Sequence, residues 1–312
     1  MRHRFVPAGV SEYRDGIRMP EYDIRHSGID WGSMAGRRLR QRGILLSSFL
    51  ATVLVLACGL SFMAQAQRKA VSISPHVTVW AWERDEDLSY IDPAKVDVAY
   101  FAGNIHVRGS LVSFRPRTQK LKLPSHAKTI PVFRIETIRR GCGSSASDEI
   151  VPDQRAAEYV ARTIINRLKK LPRTEMVQID FDALEDERPF YKTLLKYMRQ
   201  GLPHETKISI TALASWLLAD RWIERGSADE AVAMLFSIGA GKRDVLARLK
   251  KQSLDSGADV PIAIGISASE KETNKSLFSA EMQRKTRNLY LFSSKPWTEK
   301  RLCTITNEAF GK

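Results

Sequence analysis

The residues MVQIDFDA, 176–183, decide the fold. Side chains alternate across a strand, so Val177, Ile179 and Phe181 share one face while Gln178, Asp180 and Asp182 share the other. One face is apolar; the opposite face carries an amide and two carboxylates. Central strands of an open doubly wound sheet have helices on both faces and read as continuous apolar runs. A two-faced strand suits a closed barrel instead, whose outer side packs on helices and whose interior becomes polar towards one mouth.

The same reading extends outward to HVTVWAWE (76–83), VDVAYFAG (96–103), IPVFRIE (130–136), KISITALAS (207–215), AVAMLF (231–236), PIAIGIS (261–267) and NLYLF (288–292). Phe133 and Ile135 oppose Arg134 and Glu136, Ile208 and Ile210 oppose Ser209 and Thr211, and Ile264 and Ile266 oppose Gly265 and Ser267. Helical periods lie between the runs, in Ala156, Val160, Ile164, Leu168 and Leu171, in Phe190, Leu194 and Met198, and in Val245 and Leu249. The expected class is α/β, a (β/α)8 TIM-like barrel formed as a single domain over residues 67–312, with an open mixed sheet as the structural alternative. Its second β/α unit is expected to be irregular. There HVRGSLVSFRPRTQKLKLP (106–124) alternates around Arg108-Gly109-Ser110 and predicts an antiparallel hairpin in place of a helix.

In such barrels the active site lies at the C-terminal ends of the strands. The last inward-facing residues there include Trp80, Trp82, Glu83, Arg134, Glu136, Asp180, Asp182, Thr211, Trp216, Met234, Phe236 and Ser267. Paired carboxylates are what glycosidic cleavage uses, and aromatic rings beside them stack on sugars. Asp180, Asp182, Glu136 and Glu83 are therefore the candidate catalytic residues, and Trp80, Trp82, Arg134, Thr211, Trp216 and Phe236 the candidate substrate contacts. Asp182, nearest the strand end, is expected to meet substrate, with Asp180 one layer deeper raising its neighbour's pKa. The competing reading is a buried ion-pair network of Arg134, Glu136, Asp180 and Asp182, with tryptophans that only plug a core.

The 312 residues are 43% hydrophobic and 27% charged, the balance of a chain that folds around a core, and no repeat is present. The uncharged stretch Gly43–Ala66 follows Arg37, Arg38, Arg40 and Arg42 and ends in Ala64-Gln65-Ala66, the order of a secretory signal. Residues 34–66 are thus read as a signal peptide or a membrane anchor, with a lipobox-like Val55-Leu56-Ala57-Cys58 as a third possibility, and residues 1–33 are left unassigned because translation could begin at Met34. Export makes a polysaccharide or oligosaccharide the expected partner of a chain with net charge +14, and argues against nucleic acid. The expected location is the periplasm or the membrane surface. Cys142 and Cys303 could pair in an oxidising compartment, although their separation carries no spacing signal.

Other chemistries lack their residues. No Gly-rich phosphate loop and no G-x-S-x-G elbow occurs, and His76, His106, His126 and His204 fall at a strand start, in the hairpin or in loops. No cofactor and no metal site is assigned, although Glu136, Asp180 and Asp182 are of the oxygen type that holds Mg²⁺ or Ca²⁺.

The segments VWAWER (79–84), FRIET (133–137), QIDFDA (178–183), SITALASW (209–216), DRW (220–222), MLFSIG (234–239) and GIS (265–267) resemble the bacterial DUF3142 family, whose members are of unknown function. The resemblance runs from about Val77 to Ser267 and implies a glycoside-hydrolase-like barrel without an established activity. VQIDFDALE also looks like the catalytic strand of family 18 chitinases, where an acid glutamate follows the last Asp by two residues. Here that position is Leu184, and Glu185 is one residue out of step, so the chitinase acid does not carry over. The expected function is an exported carbohydrate-active protein acting on an envelope or extracellular polysaccharide through paired carboxylates. The alternative is a non-catalytic glycan-binding or structural barrel of the envelope.

Overall fold

The computed structural model describes residues 76–139, 150–251, 259–277 and 288–310, all within one unit, Ser72–Lys312. The expectations placed on residues 1–66, Cys58 included, and on Cys142 lie outside the described residues. Cys303 is an exposed free thiol. Among the described residues no helix is long and apolar enough to cross a membrane.

The chain begins with β1 (His76–Ala81) and the short β2 (Glu86–Asp87). It continues through β3 (Val96–Arg108), β4 (Leu111–Pro116), β5 (Leu121–Lys122) and β6 (Thr129–Thr137). From there strands alternate with helices: α1 (Gln154–Leu168), β7 (Met176–Asp180), α2 (Arg188–Gly201), β8 (Lys207–Leu213), a π-helix (Trp216–Asp220) and β9 (Glu230–Met234). The last elements are α3 (Lys242–Lys251), β10 (Ile262–Ser267), α4 (Lys271–Leu277), β11 (Asn288–Phe292) and α5 (Glu299–Phe310). β1 pairs in parallel with β11 on one side and with β3 on the other, which closes β1, β3 and β6 to β11 into a ring of eight parallel strands. This is the (β/α)8 barrel that the alternation predicts, and all eight apolar runs supply its strands.

The two faces separate into two cores. Val79, Phe133, Ile135, Val177, Ile179, Ile208, Ile210, Ile264 and Ile266 are buried in one cluster with Ala156, Val160, Ile164, Leu194 and Met198 of α1 and α2. That is the barrel's outer side meeting its helices. A second cluster, Trp80, Ala99, Ile130, Val132, Val232, Ala263 and Tyr290, fills the interior. Below the mouth the interior also holds a polar network centred on one carboxylate. Glu230 accepts from Tyr290 Oη at 2.6 Å, Asn288 Nδ2 at 2.6 Å and Ser209 Oγ at 3.0 Å. The chain of bonds continues as Gln178 Nε2 donates to Ser209 at 3.0 Å and Trp80 Nε1 donates to Gln178 Oε1 at 2.7 Å. A buried polar network satisfied in this way fixes one arrangement of side chains.

The expected hairpin is β3–β4, antiparallel, turning at Gly109 with φ +57°. The first connection, 82–95, also lacks a helix among the described residues and holds β2 against β5 instead. Side chains anchor it: the Arg117 guanidinium donates to the Trp82 carbonyl at 2.5 Å and to the Ala81 carbonyl at 3.2 Å, and Glu86 Oε2 accepts the Trp297 N–H at 2.8 Å.

Candidate active site

Residues at the C-terminal ends of β1, β6, β7, β8 and β9 converge on one cavity of about 160 Å³, which is lined by Trp80, Trp82, Arg134, Asp180, Asp182, Thr211, Met234, Phe236 and Phe292. Of the ten candidate site residues, seven therefore line one space. Trp80 forms the floor at 3% exposure, its ring edge-on to Phe236 and Phe292 and tilted against Tyr290. Phe236 and Phe292 stack nearly parallel with centroids 5.0 Å apart. Gly265 makes room for the floor: a Cβ there would lie 3.2 Å from the Trp80 ring and 3.3 Å from the Ala233 carbonyl. Trp82 is half-buried higher up, with the Arg134 guanidinium 5.6 Å from its ring centroid.

Asp180 ends β7 and accepts a hydrogen bond from Thr211 Oγ1 at 2.9 Å. Burial pushes its carboxyl up from 3.8 to about 6, with the Asp182 charge adding to the rise and Thr211 and Arg134 opposing it. Asp182 stands in the loop beyond the strand, exposed, and desolvation raises it while Arg134 opposes. The direction of influence differs from the expected one: Asp180 is the group lifted most, and Asp182, still the outer member of the pair, is one of the charges that lift it. Among the described residues no cation lies within ion-pair distance of either carboxylate.

The other two candidate acids are occupied. Glu136 pairs with Arg134 Nε at 2.9 Å, accepts from Asn104 Nδ2 at 2.7 Å and has His106 Nδ1 at 3.5 Å. Glu83 is held by both terminal nitrogens of Arg115, one at 3.0 Å, which keeps its carboxyl below the usual range. Neither lines the cavity, so they brace the rim rather than face a ligand there.

Trp216 is a correction. β8 ends at Leu213, and the helical turn that follows carries Trp216 to the outer side of the barrel. It is buried at 2% exposure against Trp222, 4.8 Å between centroids, and Tyr191. Reading SITALAS as strand to its end assigned it the wrong side. Phe292 was missed as a lining residue, although its alternation with Tyr290 in NLYLF was available as a signal. Tyr191 was missed too: its hydroxyl is buried with no hydrogen-bond partner, and that burial, followed by the charges of Asp180 and Asp182, raises it well above its ordinary value. No cluster of three or more His, Cys, Asp or Glu suited to a metal occurs among the described residues.

No family model and no curated protein matches the sequence. Solved structures match the fold. A candidate chitinase A from Streptomyces coelicolor aligns at 9% identity with a TM-score of 0.50, over 77% of this chain and 98% of that one. A chitinase from Rhizomucor miehei aligns at 10% identity and a TM-score of 0.47, over 75% and 98%. The spore cortex-lytic enzyme of Bacillus cereus aligns at 19% identity and a TM-score of 0.40, over 62% and 51%. The first of these likenesses supports the (β/α)8 barrel as the fold.

Proposed function

We propose that the protein is an exported glycoside hydrolase that takes one sugar unit of an envelope or extracellular polysaccharide into the barrel mouth. The observation that carries this reading is a carboxylate pair, Asp180 and Asp182, with no ion-pair partner among the described residues, in a cavity walled by Trp80, Trp82, Phe236 and Phe292 with Arg134 beside them. Ligand pockets for larger molecules run to roughly 300–1,000 Å³. At about 160 Å³ this one suits a single ring, the rest of the chain lying outside.

In this mechanism the pair shares one proton, because two adjacent carboxylates do not ionise together easily. With Asp180 at about 6, the pair keeps that proton in mildly acidic solution and gives it up as pH rises through 6. Asp182, the outer member, presents it to the glycosidic oxygen as the C–O bond breaks. The pair is then the anion that faces the positive charge developing on the ring, and it recovers a proton from the water that completes hydrolysis. Arg134 stays fixed on Glu136 beside Trp82 and keeps the rim charge away from full pairing with Asp180.

A non-catalytic glycan-binding barrel is the second reading. It is favoured by Leu184, 52% exposed, where the chitinase-like strand would carry its acid. One experiment separates the two: the purified chain is screened against polysaccharides for binding and for release of reducing ends. Hydrolysis that Asp182→Asn lowers by about 10²-fold or more, with binding retained, supports the enzyme. Binding without turnover on any substrate supports the second reading. Export is tested by fractionation with N-terminal sequencing; recovery of the full-length chain in the soluble cytosol contradicts it.

A further inference from the structure

The molecule holds a second and larger concavity, about 360 Å³, between β4 and α1 on the barrel's flank. Phe114 of β4, Tyr159, Thr163, Asn166 and Arg167 of α1, and Lys170 just beyond the end of α1 line it. The helical residues are spaced by three and four, so a single stripe of α1 builds that wall. The groove is preformed. Ser110 of the hairpin turn donates to Asp153 Oδ2 at 2.9 Å, and Asp153 in turn caps α1 by accepting the Ala156 N–H at 2.8 Å. These bonds tie the β3–β4 turn to the start of the helix.

Its chemistry differs from the mouth's. Arg167 lies 4.4 Å from the Phe114 ring centroid, stacked and so held in place, with no carboxylate paired to it among the described residues. Lys170 likewise has no acid partner there. Glu158, the acid on the same helix, pairs with Arg162 at 3.5 Å, and Asp153 is spent on the helix cap. Tyr159 is 52% exposed, a large ring left open to solvent. Two free cations, an open aromatic ring and the neutral donors Thr163 and Asn166 match a sugar ring that carries a negative group.

We propose that this groove binds an acidic polysaccharide, a uronate ring stacking on Tyr159 with its carboxylate between Arg167 and Lys170. The site stands on the groove itself, while the choice of a sugar chain rests on the reading of the mouth. A chain held here would raise the local concentration of polymer near the mouth without taking part in cleavage. The test is affinity electrophoresis of the full chain in gels containing polygalacturonate, its methyl ester, or polyglutamate. Polygalacturonate is expected to retard the protein most strongly. Arg167→Gln with Lys170→Gln should weaken that affinity about tenfold, Tyr159→Ala should weaken it further, and added salt should do the same. Lys120→Gln with Lys128→Gln, which removes equal charge from another exposed surface, should leave it nearly unchanged. Asp182→Asn should keep the retardation, so a failed mouth reading and a failed groove are told apart. Equal loss in the two double variants, or equal retardation by polyglutamate, overturns the proposal.

Discussion

At Asp180 a carboxyl that ordinarily titrates at 3.8 is lifted to about 6 by burial and by the charge of Asp182, and this has a consequence for stability. Above pH 6 the folded protein bears the full cost of an ionised Asp180. As pH falls from 6 towards 4 the folded state takes up a proton that the unfolded chain does not, so stability rises, and below that range both states are protonated. A shift of this size is worth at most about 3 kcal/mol, and less here because Asp180 is partly exposed to solvent. Asp180→Asn is therefore expected to raise Tm at pH 8 and leave it unchanged near pH 3.5, since Asn still accepts from Thr211. An unchanged or lowered Tm at pH 8 contradicts the assignment. The activity of the wild type should fall as pH rises above about 6, when the pair loses its shared proton; a rate that climbs through that range would place the proton elsewhere.

The strands were legible because each carries its own two-sided pattern. Val177, Ile179 and Ile210 had to face the helices, and Asp180 and Thr211 then had to face the interior. What could not be read was where a strand stops. The alternation of KISITALAS continues past Leu213, but Ala214 and Ser215 turn helical, and Trp216 swings out to meet Tyr191 and Trp222. Nor does alternation reveal pairing: Arg134 of the same strand and Asn104 of β3 occupy Glu136, and Arg115 of β4 occupies Glu83. Two expectations follow at this scale. Trp216→Ala should cost about 3–5 kcal/mol of stability in chemical denaturation while the folded fraction keeps its glycan affinity; a loss of affinity with little loss of stability would return Trp216 to the mouth. Gly265→Val should force the Trp80 ring upward into the cavity, weakening ligand binding and altering near-UV circular dichroism. Unchanged binding would mean that the floor is not what shapes the site.

Over the whole molecule, charge and shape divide the work between two surfaces. The net charge of +14 favours approach to an anionic polymer; the groove between β4 and α1 supplies cations and an open ring, and the mouth supplies carboxylates within an aromatic wall. The proposed activity turns on the Asp180–Asp182 pair meeting a sugar in that mouth. A crystal structure of the Asp182→Asn variant soaked with an oligosaccharide on which the wild type is active tests it most directly. The expected electron density shows a pyranose ring packed on Trp82 or Phe236, with its glycosidic oxygen roughly 2.6–3.2 Å from residue 180 or 182. An oligosaccharide bound only in the flank groove, with the mouth empty, would contradict it.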